Sequence, residues 1–152
     1  MRRISQHSVK GKKILVRVDL NCPIEEGKIA GDSRIRAHSQ TIRELSERGA
    51  RVIVLAHQGR KGHDDFISLE QHAKRLHDHI GKPVHFVNDI IGEPAKKAIS
   101  ALKDGDVLVL ENVRMLDCET EHPDGEGKIV DVLSHLADYF VLDAMSIAHR
   151  KH

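Results

Sequence analysis

Apolar residues fall in short runs separated by stretches of helical periodicity. Lys12–Leu20 (KKILVRVDL), Arg51–Ala56 (RVIVLA), Val84–Val87, Asp106–Leu110 (DVLVL) and Tyr139–Leu142 read as strands. Several are apolar at consecutive rather than alternate positions, the pattern of strands covered on both faces. Ser33–Arg48 places Ile35, His38, Ile42 and Leu45 at three-and-four spacing and predicts a helix, capped by Asp32 or Ser33 and ended by Gly49. Leu69, Ala73, Leu76 and Ile80 trace a second helical face up to Gly81, with Ser68 and Gln71 as an opening capping box. Pro94 suits the first turn of a third helix reaching about Leu102, and Gly127–Leu136 reads as a fourth. Asn21–Asp32, with Pro23, Gly27 and Gly31, reads as a loop or hairpin. His57–Ile67 and Glu111–Asp124 read as polar loops.

Strands alternating with helices, the strands apolar on both faces, predict an α/β fold. The expected architecture is a doubly wound, mainly parallel sheet in a Rossmann-like three-layer αβα sandwich. The 152 residues fit a single domain, with no internal repeat or low-complexity tract.

Composition narrows the function. Lys and Arg (24) nearly balance Asp and Glu (23), a net charge of +1, unlike the basic excess of nucleic-acid binders. Aromatics are 3% of residues, with no Trp, so the core must be aliphatic and base-stacking platforms are scarce. Cys22 and Cys118 lie far apart, matching neither a disulfide framework nor a Cys-based zinc site. The opening MRRISQHSVKGKK lacks the apolar core of a signal peptide, and no apolar run approaches the ~18 residues of a membrane span. The expectation is a cytoplasmic monomer without nucleic-acid or membrane partners. Among the 12 histidines, His72, His77 and His79 share one predicted helix, and His149 and His152 lie three apart. No carboxylate completes a ligand set with either group, so the helix histidines are expected to be solvated and no metal is expected.

In open α/β sheets ligands bind beyond the carboxyl ends of the strands. After the first strand stand Asp19 and Asn21, with Arg34 opening the next helix. His57, Gly59 and Arg60 follow the second strand, Asn112 and Arg114 the fourth, and Asp143, His149 and Arg150 the last. Any one of these arginines alone is more often a solvated loop residue. Together, four arginines and a histidine along one sheet edge suit a small, multiply anionic ligand, because the guanidinium fork matches carboxylate and phosphate.

V-R-V-D-L-N-C-P (Val16–Pro23) resembles the first signature of the phosphoglycerate kinase family, V-R-x-D-[FL]-N-V-P. The likeness continues in order through R-I-R (Arg34–Arg36), A-H-Q-G-R (Ala56–Arg60, similar to S-H-L-G-R) and L-E-N-V-R (Leu110–Arg114). It ends with D-A-M-S-I-A-H-R (Asp143–Arg150), similar to D-A-F-G-T-A-H-R. The resemblance implies the N-terminal, 3-phosphoglycerate-binding domain of that family. By it, Asp19 and Asn21 would bind the glycerate backbone and hydroxyl. His57, Arg60, Arg114 and Arg150 would hold the 3-phosphate, and Gly59 would be among the substrate-binding residues. Arg34 would be catalytic, set against the phosphoryl group passing between 1,3-bisphosphoglycerate and ADP. Departures stand beside these residues: Gln58 replaces Leu, Lys61 replaces Pro, Leu142 replaces Asn, and Met145, Ser146 and Ile147 replace Phe, Gly and Thr. The short loops and these changes look like the archaeal branch.

The family's chains are well over twice this long, and their C-terminal domain carries Mg·ATP or ADP. The nearest thing to a phosphate loop here is Gly125–Lys128. His122 stands where its first glycine should be and Ile129 where Ser or Thr should follow. The expectation is an isolated N-terminal domain over residues 1–152, its C-terminal domain absent as a partner, with no cofactor of its own and inactive alone. The alternative is a stand-alone flavodoxin- or receiver-like module, against which stands the lack of paired acids after the first strand.

Overall fold

The computed structural model describes residues 7–116 and 127–143. A five-stranded sheet forms its centre: β1 (Lys13–Val18), β4 (Arg51–Leu55), β5 (Val84–Val87), β6 (Val107–Leu110) and β7 (Tyr139–Asp143). The strand order is β5-β6-β4-β1-β7, and every pair is parallel. The residues after β1 form a small antiparallel hairpin, β2 (Ile24–Glu25) and β3 (Lys28–Ile29). Glu26 and Gly27 at its tip both have positive φ (51° and 76°), as a two-residue hairpin turn matched to strand twist requires.

Alternation along each strand feeds two cores. Ile14, Val16 and Val18 of β1, Val52 and Val54 of β4, and Val107 and Val109 of β6 face one side. There they meet α1 (Ser33–Glu47) through Ile35, Ile42 and Leu45, and α2 (Glu70–Ile80) through Ala73, Leu76 and Ile80. Leu15, Ile53, Leu55, Leu108 and Leu110 face the other side, against Ala95 and Ile99 of α3 (Glu93–Ser100) and Ile129 and Leu133 of α4 (Gly127–Ser134). Sheet residues buried on both faces explain the unbroken apolar runs. Each fully buried Ile or Leu contributes roughly 1.5–3 kcal/mol of transfer free energy. The expected doubly wound three-layer architecture is therefore formed.

Some local expectations fail. Ser68 and Gln71 do not form a capping box; the N-cap of α2 is Leu69, without a side-chain cap bond. The Ser68 hydroxyl accepts from Glu70 N (3.2 Å) and donates to Glu111 Oε2 (2.7 Å), whereas Gln71 accepts from Ile29 N (3.1 Å) and donates to Gly27 O (2.8 Å), tying α2 to the hairpin. Asp32 precedes α1 but does not cap it with its side chain. Its carboxylate takes a hydrogen bond from His79 (3.0 Å), the main reason its pKa lies below the usual aspartate value. The predicted solvated face of α2 holds for His77 but not for His72, which is fully buried. The start of the 111–124 segment is not a solvated loop. Glu111 and Asn112 are buried, and Val113–Met115 form a 3₁₀ turn.

Candidate functional site

The helices following β1 and β4 lie on one face of the sheet, and those following β5 and β6 on the other. The adjacent strands β4 and β6 therefore send their exits in opposite directions, which opens a crevice at their carboxyl ends. The exits of β1, β4 and β6 are neighbours there, and they carry most of the expected site residues.

The loops are fastened to one another by side chains. Asp19 is buried, and its Oδ1 accepts from the Asn21 amide (3.1 Å). Asn21 Oδ1 accepts from Gly59 N (2.8 Å), joining the exit of β1 to that of β4. Arg114 Nη1 donates to Gly59 O (2.7 Å), joining the exit of β6 to the same glycine. Asn112 completes the fastening: Oδ1 accepts from Gln58 N and Arg114 N (both 3.2 Å), and Nδ2 donates to Gln58 O (2.8 Å) and Ile67 O (2.9 Å). Beneath it the buried Glu111 carboxylate accepts from Leu69 N (2.8 Å), Asn112 N (2.7 Å) and Ser68, so both of its oxygens have donors.

Gly59 is required where it stands. Its φ is +70°, and a Cβ there would lie 2.3 Å from the Asp65 carbonyl oxygen. Arg60 follows with an exposed side chain, its own amide donating to Asp65 Oδ1 (3.3 Å). From the opposite side Arg34, at the first turn of α1, sends Nη1 to both oxygens of Asp19 (3.0 and 2.8 Å) while its side chain stays 51% exposed. An open cleft of about 570 Å³ lies between Asn21, Pro23, Gly31, Ser33, Arg34 and Asp65. It is large enough for a small phosphorylated acid.

Two side chains escaped the sequence reading. Arg17 sits within β1 and is buried, and its Nη2 approaches His57 Nδ1 (3.5 Å). The signal was available, since a charge inside an otherwise apolar strand needs a reason. Gln58, read only as a departure from a motif, is completely buried behind the loop it belongs to.

The structure thus brings Asp19, Asn21, Arg34, Gly59 and Arg114 into one hydrogen-bonded set, with His57 and Arg60 on the same loop as Gly59. Asp143 ends β7, where His38 of α1 contacts it (3.0 Å). Arg150 and His149 lie outside the described residues. The set offers guanidinium groups to an anion and no activated nucleophile. Burial pushes the Cys22 thiol up to about 11, and its sulfur donates to Leu20 O (3.2 Å). Among the described residues no cluster of three or more His, Cys, Asp or Glu suits a metal ion, and no helix is long and apolar enough to cross a membrane.

The family model of phosphoglycerate kinase matches residues 4–152. The chain is 50% identical over 145 residues to the phosphoglycerate kinase of Pyrobaculum aerophilum, covering 93% of this chain and 36% of that protein. It is 48% identical over 148 residues to that of Methanothermobacter thermautotrophicus, again 93% of this chain and 36% of the relative. The crystal structure of phosphoglycerate kinase from Pyrococcus horikoshii OT3 superposes with a TM-score of 0.94 at 37% identity, over 100% of this chain and 38% of the other. The chain therefore spans little more than a third of the length of the relatives it matches.

Proposed function

The chain belongs to the phosphoglycerate kinase family, and on that premise we propose that its carboxyl-edge site is the cradle for 3-phosphoglycerate and 1,3-bisphosphoglycerate. The reaction served is transfer of a phosphoryl group between 1,3-bisphosphoglycerate and ADP. The observation that carries this reading is the joining of three strand exits at Gly59, through Asn21 and Arg114, with Arg34 and Arg60 beside them.

Phosphoryl transfer asks the protein for position and positive charge rather than for a covalent group. Arg60, Arg114, His57 and, outside the described residues, Arg150 hold the 3-phosphate, with the backbone at Gly59 close to it. Asn21 and Asp19 take the glycerate carbons and hydroxyl. Arg34, half exposed at the mouth, meets the carboxyl end and neutralises charge on the phosphoryl group in flight. The residues carry no phosphate loop for a nucleotide, and we place Mg·ATP or ADP on a part of the enzyme beyond them. Holding both substrates in line is worth roughly 7–11 kcal/mol of barrier. These 152 residues alone are accordingly expected to show no turnover.

Titration of the 15N-labelled chain with 3-phosphoglycerate tests the proposal. Expected are shifts at Asn21, Arg34, Gly59, Arg60 and Arg114, with a Kd on the order of 0.1–1 mM because an open half-site screens its charges. Shifts confined to the amino edge of the sheet would refute it.

A further inference from the structure

Gln58 is 0% exposed, and the motif this loop resembles has leucine in its place. A buried carboxamide carries one acceptor oxygen and two N–H donors, and all are used here. Oε1 accepts from Cys22 N (2.8 Å) and from His72 Nε2 (2.9 Å). Nε2 donates to Cys22 O (3.0 Å) and Asp65 O (3.1 Å). Because Oε1 can only accept, His72 carries its proton on Nε2. Burial holds the ring neutral, with its pKa down at about 4.

The two bonds to Cys22 take up the amide and carbonyl of one residue, as a neighbouring strand would. The bond to Asp65 closes the far side of the same loop. Cys22 follows Asn21, and Gln58 precedes Gly59 and Arg60. The amide is thus a splice between the exit of β1 and the exit of β4, one residue behind the Asn21–Gly59 contact on each side.

We propose that Gln58 is a positioning residue for the acceptor site, fixing the separation of Asn21 from Gly59 and Arg60 through its bonds to Cys22 and Asp65. Leucine fills the same space but supplies none of these cross-loop bonds. In this chain the spacing is set by directional hydrogen bonds, and His72 occupies the acceptor's remaining lone pair so that the amide holds one orientation. The inference rests on the reading of this edge as a 3-phosphoglycerate cradle.

The experiment compares 3-phosphoglycerate affinity and thermal unfolding for the full chain, Gln58→Leu, and Gln58→Leu with His72→Leu. Gln58→Leu is expected to weaken 3-phosphoglycerate about tenfold, the scale of a lost buried hydrogen bond, and to lower the unfolding temperature. In the double variant no buried ring N–H is left without an acceptor, so part of the stability returns while the affinity stays about tenfold weak. That separation marks positioning rather than loss of fold. Affinity within about twofold of the unsubstituted chain in either variant overturns the role of Gln58 and leaves the acceptor-site reading intact. Failure of the unsubstituted chain to bind 3-phosphoglycerate overturns both. Should Gln58→Leu not fold, Gln58→Met gives the same comparison, because it is uncharged, fills a similar volume and supplies none of the bonds to Cys22 and Asp65.

Discussion

Arg34 reaches from the first turn of α1 to Asp19 at the end of β1, its Nη1 3.0 and 2.8 Å from the two carboxylate oxygens. The acid is buried and the arginine side chain half exposed, so the pair holds the arginine in the wall of the cleft it lines. A group positioned this way contributes most when charge builds on a transferring phosphoryl group.

With the nucleotide-binding part of a related enzyme supplied in trans, Arg34→Ala should lower kcat far more than it weakens 3-phosphoglycerate binding. Steady-state kinetics and an equilibrium titration on the same preparation separate the two. Equal losses in both would move Arg34 from the transition state to ground-state binding.

Arg60 is exposed, and its backbone is tied into the loop at both ends: its amide donates to Asp65 Oδ1 and its carbonyl accepts from His63 N (3.0 Å). Arg60→Ala should weaken 3-phosphoglycerate by about tenfold, or about 1.4 kcal/mol, and leave the unfolding temperature unchanged. The deficit should shrink as salt is raised, because the lost interaction is a screened one. Calorimetric titration at two ionic strengths reads both effects.

Gly59→Ala places a methyl group 2.3 Å from the Asp65 carbonyl oxygen in a residue whose φ is +70°. The left-handed backbone alone costs about 1–2 kcal/mol for a residue with a Cβ, and the collision adds to it. Urea denaturation should show a loss of about 2 kcal/mol or more, together with the disappearance of 3-phosphoglycerate shifts at Asn21 and Arg114.

His72 gives stability a pH dependence of known sign. Its folded-state pKa is about 4 against 6.5 for a free imidazole, chiefly because burial penalises the cation. Between those values the unfolded chain binds the proton and the folded chain does not, so stability falls as pH drops from 6.5 towards about 4. The full loss is on the order of 3 kcal/mol. In His72→Leu the acid slope should diminish by one proton's worth. An unchanged slope between the two proteins would place the titration elsewhere.

The sequence by itself determined the layered fold. Runs such as Val52–Leu55 and Val107–Leu110 are apolar at every position, and only a strand covered on both faces can bury them. The order of strand and helix then leaves a small choice of topologies, and polar residues just past strand ends mark the ligand edge. Hence Asp19, Asn21, Arg34, His57, Gly59, Arg60 and Arg114 are legible as candidates in the sequence alone.

Only the tertiary structure decided how those residues are held. Ser68 and Gln71 carry a local capping pattern, yet only half of it forms: Ser68 Oγ accepts from Glu70 N, while its proton goes to Glu111 and the Gln71 amide goes to the hairpin, partners distant in sequence. His72 looks like one of several surface histidines of α2, but the helix turns it inward onto Gln58. Gln58 itself reads as a polar loop residue, and Arg17 as an anomaly in a strand. Helical and strand periods report which face a residue occupies, whereas hydrogen-bond partners across loops depend on where three separate chain segments meet. That meeting is set by sheet order, here β6-β4-β1, which places Asn112, Gln58 and Cys22 side by side although they are far apart along the chain.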